Sequence, residues 1–215
     1  MRLVYSPASP FSRKARLIAL EHGVPLDLDL RVVWSDDARV EEVNPLRKIP
    51  ALVVSPDLTL FNSQTICAYL WTETLRRGER SWQDVNLEAL ADGALDAAVQ
   101  IVYETTRRPA RLSWPDWIVR QSLKVEGALD HLERATGAPP GGPFTIGEAA
   151  LACAIGYLRW RLPGRWPTTR PGLDRWAAAV AERPSMRATG YEYPPGAPPP
   201  QEVISIENQD HGGDN

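Results

Sequence analysis

The sequence predicts an α+β domain built on a mixed four-stranded sheet, followed by an all-α helical-bundle domain. Three observations predict it. Every plausible strand lies in residues 1 to about 75. Residues 84 to 189 show helical periodicity without a convincing strand. Within the first part, strands and helices alternate and then close on a hairpin. The corresponding divisions are 1–78, 84–189, and a Pro-rich acidic tail over 190–215.

Leu3-Val4-Tyr5 reads as a short strand. Ser12 to His22 reads as a helix stopped by Gly23, with Pro25 beyond. Leu26, Leu28, Leu30 and Val32 alternate with Asp27, Asp29 and Arg31, the period of a half-buried strand. Ser35 can cap a short helix, with Asp36 and Asp37 in its first turn. Ala51 to Val54 and Leu58 to Phe61 are apolar runs joined by Ser55-Pro56-Asp57, the spacing of a hairpin. Ser63 to Arg76 returns to helix. A right-handed crossover makes the first two strands parallel neighbours, and the hairpin adds an antiparallel pair.

The second part holds helices from about Val85 to Arg107, Pro115 to Arg134, Thr145 to Trp160 and Pro171 to Glu182. Proline suits a first helical turn, and Thr145-Ile146-Gly147-Glu148 fits a capping box. Six of the eight tryptophans lie between Trp82 and Trp176, bulky material for packing helices together. After Gly190 the prolines favour extended chain that does not pack, with Val203-Ile204-Ser205-Ile206 as the one apolar run.

With 43% hydrophobic and 24% charged residues, the 215-residue chain can bury a core, which excludes disorder for most of it. The net charge of -3 gives no electrostatic reason to expect nucleic acid. The tail holds Glu192, Glu202, Glu207, Asp210 and Asp214; without these five acids the body has 24 basic and 22 acidic residues, about +2. No apolar run reaches the ~18 residues of a membrane span, and the N-terminus lacks a secretory pattern. Cys67 and Cys153 sit among apolar residues as small buried hydrophobes, and a cytoplasmic location follows as the default. His22, His131 and His211 are isolated and read as surface residues; no metal site is expected. Asp92 and Asp96 share a helix face and read as solvent or interface polarity.

Three stretches can carry chemistry. Ser6-Pro7-Ala8-Ser9-Pro10-Phe11-Ser12 joins the first strand to the first helix, where unpaired N–H groups and the helix dipole stabilise an anion or a thiolate. Ser9 offers a hydroxyl there; Ser9 or Ser12 serves equally as a plain helix cap. In Asn44-Pro45-Leu46-Arg47-Lys48-Ile49-Pro50, a cis Ile49-Pro50 bond would aim the Ile49 backbone at an extended peptide, and Lys48 supplies a cation for a carboxylate. The bland reading is a prolyl loop with a solvated lysine. In Leu60-Phe61-Asn62-Ser63, the helix start is a second anion site or simply a cap.

Taken in order, a Ser-Pro-Phe turn, a Lys-Ile-Pro turn some 40 residues later and an Asn-Ser helix start 12 residues beyond resemble the cytosolic glutathione S-transferase superfamily. Thr145 to Ala152 looks like that superfamily's buried capping-box motif. The resemblance spans residues 1 to about 188. It implies a thioredoxin-like N-terminal domain that binds glutathione. It implies Ser9 as the thiol-activating residue of serine-type members, where cysteine-type members carry Cys-Pro-Phe. It implies Lys48, Ile49 and Pro50 as the glutathione backbone-binding turn, and Asn62 with Ser63 as the holder of the γ-glutamyl carboxylate. That pair is usually Glu-Ser or Asp-Ser, so Asn62 departs from the pattern. The implied function is transfer of glutathione to a small hydrophobic electrophile, with detoxification as the setting and a homodimer as the assembly. Tyr103 and Arg107, with Arg108, fall where the electrophile pocket is expected; a solvated basic helix end is the rival reading. The rival class is a non-catalytic binding or assembly module on the same fold.

Overall fold

The computed structural model describes residues 1–33, 35, 38–165 and 170–195. Asp36, Asp37, His211 and the Val203–Ile206 run lie outside the described residues. The element order is β1 (Arg2–Tyr5), α1 (Pro10–Glu21), β2 (Asp27–Leu30), β3 (Ala51–Ser55), β4 (Leu58–Phe61), α2 (Ser63–Tyr69), α3 (Trp82–Thr106), α4 (Pro115–Ala135), α5 (Ile146–Arg161), α6 (Pro171–Ala181) and α7 (Pro184–Ala188).

The sheet is mixed, with strand order β2-β1-β3-β4. β1 runs parallel to β2 and antiparallel to β3, and β3 pairs antiparallel with β4. This is the expected thioredoxin-like arrangement followed by a helical domain. β2 departs from expectation in burial. It is an edge strand whose Leu28 and Leu30 are exposed, while Asp29 is held by Arg2 and Arg31. The period of two is present, but an edge position leaves its apolar side uncovered.

α1 begins at Pro10, two residues before the predicted Ser12. Proline lacks only an N–H that the first turn would leave unpaired, so the helix extends back to it. α1 ends at Glu21 and is stopped by Gly23, whose φ of 67° is the left-handed conformation that favours glycine. α2 is shorter than the predicted Ser63–Arg76 helix; its last part widens into a π-helical turn over Leu70–Thr74. α3 starts at Trp82 behind the Ser81 cap, and α7 was not anticipated. The capping box of α5 forms as predicted: Thr145 Oγ1 accepts from Glu148 N at 3.2 Å, and Glu148 Oε2 accepts from Thr145 N at 2.8 Å.

Leu3, Leu17, Ile18, Leu52, Ile66 and Leu70 are fully buried between sheet and helices. Leu95, Ile101, Ile118, Leu132 and Phe144 fill the helical core. Each such side chain contributes roughly 1.5–3 kcal/mol of burial. Cys67 and Cys153 are buried and unbridged, and burial pushes both thiols up to about 12, so they are inert fillers as expected.

The two parts are joined by a buried ion network that the sequence reading missed. Lys14 of α1 has no exposed surface; its Nζ lies 2.9 Å from Glu88 Oε1 and 2.5 Å from Asp92 Oδ2 of α3. Arg80 bonds Glu88 and Asp84, each at 2.5 Å, and Asp84 accepts from the Gly147 N–H at the start of α5 at 2.9 Å. A Cβ on Gly147 would meet the Asp84 backbone at 2.6 Å, so only glycine permits that approach. Asp92 is therefore a buried partner of Lys14, not surface polarity.

The described start of the tail also packs, against expectation. Tyr191 stacks on Trp160 at 5.2 Å, lies under the Arg13 guanidinium at 4.4 Å and donates its hydroxyl to Cys153 O at 2.9 Å. Two tyrosines among the prolines supply the burial that prolines alone would not. His22 is likewise engaged rather than isolated: its Nε2 is 2.8 Å from Phe144 O, and Trp71 packs on its ring edge. His131 is exposed.

Candidate active site

A cleft of about 290 Å³ opens between the sheet part and the helical part. Its walls bring together Ser9, Lys48, Ile49, Tyr103 and Arg107, five of the residues singled out from sequence, with Phe11, Asp96, Tyr157, Arg161 and Tyr193.

Ser9 is the N-cap of α1 in extended conformation, and its Oγ accepts from Ser12 N at 3.1 Å. The cap reading is thus correct for Ser9. It does not consume the hydroxyl proton, because a capping oxygen accepts through a lone pair. Ser12, the other candidate cap, is fully buried, its hydroxyl has no hydrogen-bond partner among the described residues, and it does not line the cleft.

The Ile49–Pro50 bond is cis, the isomer on which the ligand-turn reading of this loop depends. The turn before it is organised by Asn44, which is buried. Asn44 Oδ1 accepts from Leu46 N at 3.0 Å, and its Nδ2 donates to Lys48 O at 2.6 Å. Arg47 adopts φ 53°, in the left-handed region. The sequence gives no signal that Asn44 shapes this turn, because both of its hydrogen bonds go to backbone groups within four residues inside an irregular loop.

Pro50, Asn62 and Ser63 are not part of the cleft lining. The register pairs Ala51 with Phe61, which sets the cis-proline turn and the Asn62–Ser63 helix start at the same end of the β3–β4 pair. Asn62 has φ 69°, a strained value that Asn tolerates better than most residues, and its Oδ1 caps α2 by accepting from Gln64 N at 2.9 Å. Ser63 is buried.

On the opposite wall, partial burial raises the Asp96 carboxyl pKa against the pull of Lys48 and Lys14. Burial also raises the Tyr103 phenol, with Arg107 and Arg161 pulling it back. Tyr157 is pushed up by burial in the same way, although Arg161 hydrogen-bonds to it. Both phenols are therefore neutral donors at physiological pH. Arg161 and Tyr193 were missed as cleft residues. The neighbouring arginines are engaged elsewhere: Arg159 pairs with Asp174 at 2.6 Å, and Arg165 donates to Ser122 at 3.0 Å. Among the described residues no group of His, Cys, Asp and Glu is placed to hold a metal, and no helix is long and apolar enough to cross a membrane.

A thioredoxin-like sheet with a cis-proline turn, facing a serine-capped helix and roofed by a helical domain, defines a class of two-domain thiol-binding folds. Within that class, the chain belongs to the glutathione S-transferase family: the family's N-terminal domain matches residues 3–74 and its C-terminal domain residues 115–179. It is 33% identical over 199 residues to the uncharacterized GST-like protein YibF of Escherichia coli K12, covering 88% of this chain and 98% of that protein. A glutathione S-transferase from Methylobacillus flagellatus, solved with glutathione bound, has a TM-score of 0.80 and 33% identity over 89% of this chain and 99% of its own. A glutathione transferase family member from Pseudomonas fluorescens, solved with S-(propanoic acid)-glutathione, has a TM-score of 0.76 and 33% identity over 89% of this chain and 99% of its own.

Proposed function

We propose that this protein is a serine-type glutathione transferase. The observation that carries the reading is the cleft itself: Ser9 at the positive end of α1 and the Lys48–Ile49 turn share one wall system with Tyr103 and Arg107. The peptide backbone of glutathione pairs with Ile49, and Lys48 faces a carboxylate. The γ-glutamyl end reaches the Asn62–Ser63 helix start at the same sheet end, with Pro50 shaping the turn between. The bound glutathione of the Methylobacillus flagellatus relative and the glutathione conjugate of the Pseudomonas fluorescens relative support the same assignment.

In this mechanism the thiol loses its proton to solvent, and Ser9 donates its hydroxyl proton in a hydrogen bond to the thiolate while the α1 N-terminus adds its dipole. A free thiol has a pKa of roughly 8.5; lowering it by about two units corresponds to about 2.7 kcal/mol of differential stabilisation. The thiolate attacks an electrophile held against α3. Serine cannot form the mixed disulfide that cysteine would, so the chemistry runs through the bound thiolate. A homodimer in the cytoplasm is part of the proposal; exposed Trp82, Trp114 and Leu123 supply apolar surface for a second copy.

The test is a glutathione titration followed by ultraviolet thiolate absorbance, with Ser9→Ala as comparison. A saturable signal at neutral pH that the variant loses is expected. Asn62 favours the second reading, a non-catalytic module, because an amide lacks the charge that attracts the γ-glutamyl ammonium. Absence of binding at millimolar glutathione would put that reading first.

A further inference from the structure

Resting on that reading of the cleft, we propose that the electrophile carries an anionic group, a carboxylate or an acid of similar size, held by Arg161. Arg161 ends α5 and lines the cleft opposite the Lys48 turn. Its guanidinium lies 5.2 Å from the ring centroids of both Trp160 and Tyr193, donates to the Tyr193 hydroxyl and hydrogen-bonds Tyr157. Among the described residues, no carboxylate lies within ion-pair distance of it. Arg159, two residues earlier, has Asp174; Arg80, Arg108, Arg170 and Arg183 likewise have carboxylates. Arg161 is fixed by rings and hydroxyls instead. A guanidinium has five N–H donors in a planar fork, so these contacts leave donors for a ligand.

The charge around the cleft points the same way. Among the described residues, Arg47, Lys48 and Arg161 line it with one carboxylate, Asp96. The Tyr103 and Tyr157 phenols, held neutral by burial, add donors beside Arg161 rather than competing charge. Tyr193 and Pro194, from the chain beyond α7, close that side of the cleft and hold Arg161 in place, so the packed start of the tail sets specificity.

The experiment compares 4-chloro-3-nitrobenzoate with 4-chloro-3-nitrobenzamide. In each, the thiolate sulfur attacks the chlorine-bearing carbon, a C–S bond forms, the C–Cl bond breaks and chloride leaves with the electron pair. The readout is the ratio of kcat/KM values, each divided by the uncatalysed rate with glutathione; a ratio does not depend on the fraction of folded enzyme. A preference of tenfold or more for the carboxylate is expected, equivalent to about 1.4 kcal/mol. Arg161→Gln should bring the ratio towards one, and Arg161→Lys should keep part of it. A wild-type ratio at or below one, or a ratio unmoved by Arg161→Gln, overturns the proposal. Calorimetry with the two product conjugates separates the levels. Equal affinity for both leaves the glutathione reading standing and removes the anionic subsite. No binding of either removes both.

Discussion

Replacing Lys14 by methionine should destabilise the protein by about 3–5 kcal/mol, the cost of breaking one partner out of a buried ion pair. The structure says where the cost arises. Lys14 Nζ is the shared partner of Glu88 and Asp92, whose side chains are 5% and 9% exposed. Without the ammonium, Glu88 keeps Arg80 at 2.5 Å, but Asp92 keeps no cation, and its Oδ1 already lacks a hydrogen-bond partner among the described residues. Burial alone would lower the Lys14 pKa; Cys67, Asp92 and Glu88 outweigh it and raise it. Because the Cys67 thiol is itself pushed up to about 12, the carboxylates are what face the ammonium at neutral pH. Burial already raises the Asp92 pKa, and loss of Lys14 removes the main influence against it. A carboxyl whose folded pKa lies above its unfolded value binds its proton more tightly when folded. The deficit of the variant is therefore smallest at and below the ordinary value of 3.8, and it grows as pH rises from there through the folded value. Urea unfolding at pH 7 and pH 4.5 measures both effects. The double variant Lys14→Met/Asp92→Leu removes the orphan charge and should recover most of the loss. A single variant within 1 kcal/mol of wild type, or a double variant no better than the single, would refute the reasoning.

Three further outcomes follow from the same structure. Glu21 faces burial, which alone would raise its pKa, but Arg183, Ser185 and the Phe144 N–H outweigh it, so the carboxyl is lowered from 4.5; its stabilisation is present above that value and lost as pH falls through the folded one, and Glu21→Gln should flatten the acid limb of a Tm-against-pH curve. Tyr191→Ala should cost about 3 kcal/mol by removing a stacked ring and the bond to Cys153 O, read as a lower urea midpoint, and an unchanged midpoint would return the tail to non-packing status. Asn62→Asp keeps the α2 cap and adds a negative charge near the proposed γ-glutamyl ammonium, so calorimetry should show glutathione binding about fivefold tighter, with weaker or equal binding counting against that placement.

What was legible in the sequence was local. Gly23 stops α1, Pro115 and Pro171 start α4 and α6, and Thr145 with Glu148 forms a capping box, because each signal acts within four residues of the backbone it satisfies. The parallel β1–β2 pair and the antiparallel β3–β4 pair followed from crossover handedness and the short Ser55-Pro56-Asp57 connection, whereas the antiparallel β1–β3 pairing that completes the order comes from the structure. Long-range polar pairing was not legible. Lys14 meets Glu88 and Asp92 across 74 and 78 residues, and periodicity assigns a lysine in an amphipathic helix to solvent. Asp92 and Asp96 share a helix face by spacing, yet one is buried against Lys14 and the other reaches the cleft; which way that face turns is decided by packing. The tail failed for a different reason. Proline content argues for extended chain, whereas the alternating Tyr191 and Tyr193, which pack on Trp160 of α5, are the signal for docking.

The cap observed at Ser9 bears on its proposed role as well. A cap and a thiol-activating group were set against each other as alternative uses of one hydroxyl. The geometry makes them compatible, since Ser9 Oγ spends a lone pair on Ser12 N at 3.1 Å and keeps its proton for a ligand. Accepting from a backbone N–H polarises the hydroxyl and makes its proton a better donor. The cap also fixes the oxygen at the mouth of the helix dipole, where an anion is most stabilised. A side chain that caps the helix is thereby held where the proposed thiolate would lie, so the cap and the proposed role of Ser9 make the same demand on the Ser-Pro-Phe turn.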